Sequence, residues 1–136
     1  MEVRAIQKFI LISPRKLREI VPLVTNLIPK DAVERLPFIG KHAAEPLRKV
    51  IIAALANAKQ KGIDEKSLVF KEIQINEGPR LKRFRAGARG RAKPYKRRMS
   101  HIRVVLTTRN DQIPNPKTQT NSNVQNPKFK AKKKNV

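Results

Sequence analysis

The amino-acid sequence predicts an α+β fold from which a long basic β-hairpin protrudes. Three observations carry this expectation. Residues 3–12, 67–75 and 101–106 are rich in β-branched and other apolar side chains, as strands are. Residues 41–61 repeat apolar side chains at helical spacing. Between the last two strand segments lies a block, residues 80–103, with 11 basic side chains and no acidic one.

The elements follow in chain order. Val3 to Ile12, VRAIQKFILI, reads as the first strand. Ser13-Pro14 then predicts a helix start, with Ser13 as N-cap and Pro14 at the first helical position. Leu17, Ile20, Val21 and Val24 form one face of that helix, and Pro22 predicts a kink or an early end. Pro29 to Phe38 allows a short second helix with Ala32, Val33 and Leu36 inward. The central helix spans Lys41 to Lys61, with Leu47, Val50, Ile51, Ala54, Leu55 and Ala58 at helical spacing. Gly62 is its stop, and Ala43, Ala44, Ala53, Ala56 and Ala58 are small enough for close packing. Ser67 to Ile75 predicts a strand with Val69, Ile73 and Ile75 on one side, and His101 to Leu106 another with Ile102, Val104 and Leu106 on one side. If these two strands pair antiparallel, the block between them is a hairpin over residues 77–103. At roughly 3.3 Å per residue its arms reach about 35–40 Å.

Composition bounds the function. The chain has 136 residues, 32 Lys or Arg against 10 Asp or Glu, and a formal charge of +22. Cysteine is absent, which excludes disulfides, thiolate nucleophiles and Cys-ligated zinc, and His42 and His101 alone cannot make a His-rich metal site. No metal or cofactor is expected. The apolar runs fall far short of the ~20 residues a membrane span needs. Glu2 and Arg4 interrupt the start, so no signal peptide is expected there. Charge of this size calls for a polyanionic partner, with nucleic acid first. Residues 1–79 hold 14 basic and 9 acidic side chains, and residues 104–136 hold 7 basic against Asp111 alone, so half of the excess sits in residues 80–103. From Asn110 the chain turns poor in hydrophobic residues and rich in Asn, Gln, Thr, Pro and Lys, which predicts a globular domain over 1–109 and a basic tail, disordered when free, over 110–136.

Residues 80–98 read RLKRFRAGARGRAKPYKRR. Arg80, Arg83, Arg85, Arg89, Arg91, Arg97 and Arg98 offer planar forks that bond phosphate oxygens in pairs, and Lys82, Lys93 and Lys96 add point charges. Phe84 and Tyr95 interleave with them and suit stacking on unpaired bases. Gly87, Ala88, Gly90 and Ala92 keep the tip thin. An ordinary solvated face mixes signs, and a transport tag has no reason to lie between two strands, so polyanion binding is the stronger reading. Arg15, Lys16 and Arg18 follow Ser13 where acids would suit the helix dipole, which fits a phosphate bound at this end. Catalysis finds no constellation: Ser100 and His101 face opposite ways on a strand, and Glu72 and Glu77 lie among lysines and arginines.

The same residues resemble a known family, the universal large-subunit ribosomal protein L-twenty-two in its bacterial or organellar form. The matching stretches are Ile12-Ser13-Pro14-Arg15-Lys16 with Arg18, Ala43-Ala44-Glu45-Pro46, Ala54-Leu55-Ala56-Asn57-Ala58, Glu77-Gly78-Pro79, Leu81-Lys82-Arg83, Ala88-Arg89-Gly90-Arg91-Ala92 and Ser100-His101-Ile102. The resemblance implies helices packed on a three-stranded antiparallel sheet with an extended hairpin. It also implies a non-enzymatic constituent of the large ribosomal subunit that binds its RNA, assists assembly and lines the nascent-peptide exit tunnel. Its implied partners are that RNA, neighbouring ribosomal proteins and the nascent peptide, in the cytoplasm or an organelle, with no membrane insertion and no homo-oligomer. By position, Ala88, Arg89, Gly90, Arg91, Ala92 and Lys93 would form the tunnel tip. Leu81, Lys82 and Arg83 begin the segment whose alteration affects macrolide response in that family. Ala86-Gly87 stands where the family has Pro-Arg, which predicts a more flexible tip. The alternative is a general nucleic-acid chaperone or compaction protein that uses the same cations as mobile arms.

Overall fold

The computed structural model describes residues 1–109; the tail expected over 110–136 lies outside the described residues. Three strands, β1 (Glu2–Ile10), β2 (Leu68–Ala86) and β3 (Ala92–Thr108), form one antiparallel sheet in the order β1–β3–β2. Between β1 and β2 the chain makes four helices: α1 (Pro14–Arg18), α2 (Val21–Thr25), α3 (Pro29–Arg35) and α4 (Ala44–Gln60). The fold is thus α+β, as the sequence predicts, and the basic hairpin is the outer extension of β2 and β3.

One apolar cluster joins the helices to one face of the sheet. Val3 and Ala5 of β1, Phe70 and Ile75 of β2, and Ile102, Val104 and Leu106 of β3 meet Leu47, Val50, Ile51 and Ala54 of α4. Leu17 of α1, Ile20 between the two helices and Val24 of α2 close the cluster. Each such fully buried aliphatic side chain contributes about 1.5–3 kcal/mol. The central strand β3 supplies three of them because it is covered on both edges.

Alpha4 ends where Gly62 predicts. The Ile63 N–H donates to the Ala58 carbonyl at 3.1 Å and the Gly62 N–H to the Lys59 carbonyl at 3.0 Å, with Gly62 at φ +70°. This double reverse bond needs a left-handed residue, which glycine adopts without a Cβ penalty.

Four details depart from the sequence expectation. Ser13 has the extended backbone of a cap, but its side chain makes no capping bond; Pro14 and the Lys16 N–H to Ser13 carbonyl bond of 3.1 Å set the start of α1. Pro22 kinks nothing: α1 has already ended at Arg18, and Pro22 lies in the first turn of α2, where its missing N–H removes no helical bond. Ala53 and Ala56 face outward on α4, so its close packing rests on Ala44, Ala54 and Ala58. Val69 does not share a side with Ile73 and Ile75. Beta2 bulges between Phe70 and Glu72, and the extra residue, Lys71, reverses the alternation, so Leu68 and Phe70 join Ile75 in the core.

Candidate nucleic-acid interface

The hairpin leaves the sheet at a second bulge. Glu77 pairs with Ser100 and Arg80 with Arg98, so β2 spends one residue more than β3 across Gly78 and Pro79. A Cβ on Gly78 would stand 3.0 Å from the backbone carbon of Met99, so glycine lets the strands close at the bend. Ser100 anchors the opposite side: it is fully buried and its hydroxyl donates to the Ile12 carbonyl at 2.8 Å. The neighbouring His101 accepts the Phe9 N–H on Nδ1 at 2.9 Å and meets the Phe9 ring edge-on. Ser100 and His101 therefore each serve β1 and its exit, not each other.

Beyond the bulge, seven facing pairs run from Arg80–Arg98 to Ala86–Ala92. At roughly 3.3 Å per residue that is about 23 Å of ribbon. The longer reach expected from the sequence counts bulge and turn residues as straight chain. Arg80, Lys82, Arg83, Phe84, Arg85, Lys93, Tyr95, Lys96, Arg97 and Arg98 are all exposed. Arg80 bonds Glu77 at 3.1 Å; among the described residues the other cations of the arm have no acidic partner. Their mutual repulsion is relieved only by external anions.

The tip is a closed turn. The Gly87 N–H donates to the Arg91 carbonyl at 2.7 Å, and Arg89 and Gly90 have φ of 55° and 67°. A Cβ on Gly87 would lie 3.0 Å from the Arg91 carbonyl oxygen, so Gly87 permits a close strand approach. Ala88, Arg89, Gly90, Arg91 and Ala92 are exposed around this turn.

At the root, Ser13 and Lys16 face Tyr95, Lys96, Arg97 and Arg98 across a groove of about 910 Å³. The sequence reading names these residues as two separate anion sites, the helix start and the hairpin; the fold lines one groove with both and adds Lys41 and His42. Lys41 pairs with Glu19 at 3.3 Å. Only the tertiary fold signals them, because the turn before α4 is remote in sequence from the hairpin. Arg15 is exposed outside the groove. The Arg18 guanidinium donates to the Ile75 carbonyl at 3.0 Å, which ties α1 to β2.

Residues 5–107 match the family model for ribosomal protein L22p/L17e. The chain belongs to the ribosomal protein L22p/L17e family. It is 47% identical over 107 residues to the large ribosomal subunit protein uL22 of Syntrophus aciditrophicus (strain SB), covering 78% of this chain and 97% of the relative. The proteins of the same name from Desulfitobacterium hafniense (strain DSM 10664 / DCB-2) and Nitratidesulfovibrio vulgaris (strain DSM 19637 / Miyazaki F) are 40% and 46% identical. They cover 81% and 78% of the chain and 97% and 96% of their own lengths. The L22p/L17e family is structural, and this member is not an enzyme. Among the described residues, no helix is long and apolar enough to cross a membrane.

Proposed function

We propose that the chain binds large-subunit ribosomal RNA through its arm and the groove at the arm's root, assists assembly, and presents its tip to the exit tunnel. The broader role, a structural constituent of the large ribosomal subunit, follows from family membership. In bacteria that subunit is cytoplasmic, and its RNA and other proteins are the chain's surroundings. The observation that carries the finer reading is the exposed, acid-free ribbon from Arg80 to Arg98 held off the sheet by the bulge at Gly78.

Charge spaced along a thin ribbon suits a crowded RNA interior. RNA helices hide base identity in a deep narrow groove, so phosphates, 2′-hydroxyls and shape are what a protein reads. Ser13, Lys16 and Arg97 at the root would meet one backbone, while Ala88 to Lys93 would reach the tunnel wall. Residues 1–109 then act as one domain, and the basic residues of 110–136 add charge-driven contacts.

The test is titration of large-subunit RNA with the full chain across a salt series. Replacing Arg83, Arg89 and Arg91 by Ala should lower the slope of log K against log salt by about 2. Replacing Lys132, Lys133 and Lys134 should cost far less. Equal losses would contradict the arm assignment.

A further inference from the structure

The ladder register divides the arm into two faces. In an antiparallel ribbon, directly opposed residues share a side, and successive pairs alternate. The pairs Arg80–Arg98, Lys82–Lys96 and Phe84–Pro94 therefore lie on one face. Leu81–Arg97, Arg83–Tyr95 and Arg85–Lys93 lie on the other. Each face has four cations and one exposed aromatic ring: Phe84 at 72% and Tyr95 at 48% exposure.

Two hollows lie along the ribbon, one mainly on each face. One hollow of about 550 Å³ runs along Arg80, Lys82, Phe84, Lys96 and Arg98 and reaches Pro94 and Tyr95 at its edge. A separate hollow of about 360 Å³ lies at Arg85, Lys93, Pro94 and Tyr95. The hollows meet only at the edge shared by Pro94 and Tyr95. A ring flanked by exposed cations is the chemistry that takes a nucleotide: the base stacks on the ring and the adjoining phosphates meet the charges. Because Phe84 and Tyr95 occupy successive pairs, their side chains leave the ribbon on opposite faces.

We propose that the arm is a two-sided clamp that stacks one unpaired RNA nucleotide on Phe84 and a second, from a separate RNA segment, on Tyr95, so that it joins two strands. This rests on the RNA-binding reading and adds to it the form of the RNA, two unpaired segments on opposite sides. The charges attract both strands, and the rings fix where each one sits. Gly87 and the tight turn keep the ribbon thin enough to enter between them.

The chain has one tyrosine and no tryptophan, so its ultraviolet emission reports on Tyr95 alone. The full chain is mixed with donor-labelled and acceptor-labelled oligoadenylate at about 0.3 M salt, where phosphate attraction is weakened. Binding is followed by anisotropy, stacking by tyrosine quenching, and bridging by energy transfer between the two oligonucleotides. The expected result is quenching together with transfer. Phe84→Leu should keep the quenching and lower the transfer about tenfold, and Tyr95→Leu should lower it similarly, whereas Tyr95→Phe keeps it. Both positions are exposed, and unchanged circular dichroism checks each fold. Binding without quenching, or transfer that survives both leucine variants, would overturn the clamp while leaving RNA binding intact. Absence of any anisotropy change would overturn the RNA reading and the clamp together.

Discussion

Gly78 and Met99 meet so closely that the smallest side chain at residue 78 would stand 3.0 Å from the Met99 backbone carbon and 3.2 Å from its Cβ. This pair sets the point where the sheet ends and the arm begins. Backbone on both sides cannot yield as a flexible side chain would.

Gly78→Ala should therefore destabilise the domain by about 1–3 kcal/mol, the usual cost of forced overpacking. Urea unfolding measures it. Gly40→Ala provides the comparison, since Gly40 has a left-handed φ of 66° but open space around its Cβ position. There the cost should come from backbone conformation alone, about 1 kcal/mol.

Ser100→Ala should cost about 1–3 kcal/mol, because it leaves the Ile12 carbonyl without its buried donor. The bond joins the segment after β1 to β3 at the root of the arm, so the loss should also loosen the groove. Thermal unfolding gives the first effect. Weaker RNA binding at a temperature where the variant is folded gives the second.

Amide exchange in the free protein should form a gradient along β3. Residues 102–106 are paired with β1 and β2 at once, and Ile102, Val104 and Leu106 sit in the core, so their opening should approach global unfolding. Residues 92–98 have one partner strand and no apolar cover, and a two-stranded ribbon in water is marginal. Fast exchange there, slowed by RNA, is the expected outcome. Strong protection without RNA would show that the arm is rigid on its own.

Arg89→Gly should separate charge from conformation at the tip. Arg89 has φ 55° and ψ 41°, a left-handed backbone that an L side chain adopts at a cost of about 1 kcal/mol. Glycine removes that cost and one cation together. Stability should hold or rise slightly, while the salt slope of RNA binding falls by about 0.7–0.9.

The arm was the most legible feature in the sequence, because charge segregation is a local signal that needs no fold to interpret. Leu47 to Ala58 and the Gly62 stop were equally open to reading, since a helix face and its cap lie within a few turns of chain. Simple alternation puts Val69 on the side of Ile73 and Ile75, but the bulge at Lys71 breaks the period of 2 without any mark in residue type. Pro22 predicts a kink or an early end; the helix does end early, but at Arg18, ahead of the proline, because α1 and α2 are short pieces set by tertiary packing. In the candidate site, Lys41 and His42 escaped for a different reason: the groove joins three distant parts of the chain. Arg18 carries the same charge as its neighbours, and only geometry turns it toward Ile75.

The most direct measurement is sucrose-gradient sedimentation of a cell lysate, following this chain before and after a high-salt wash. An integral constituent, held by contacts buried from screening ions, should stay with the large subunit through the wash and in fixed proportion to its other proteins. Release at moderate salt, or a smear across all nucleic acid, would contradict the account and favour a general nucleic-acid chaperone.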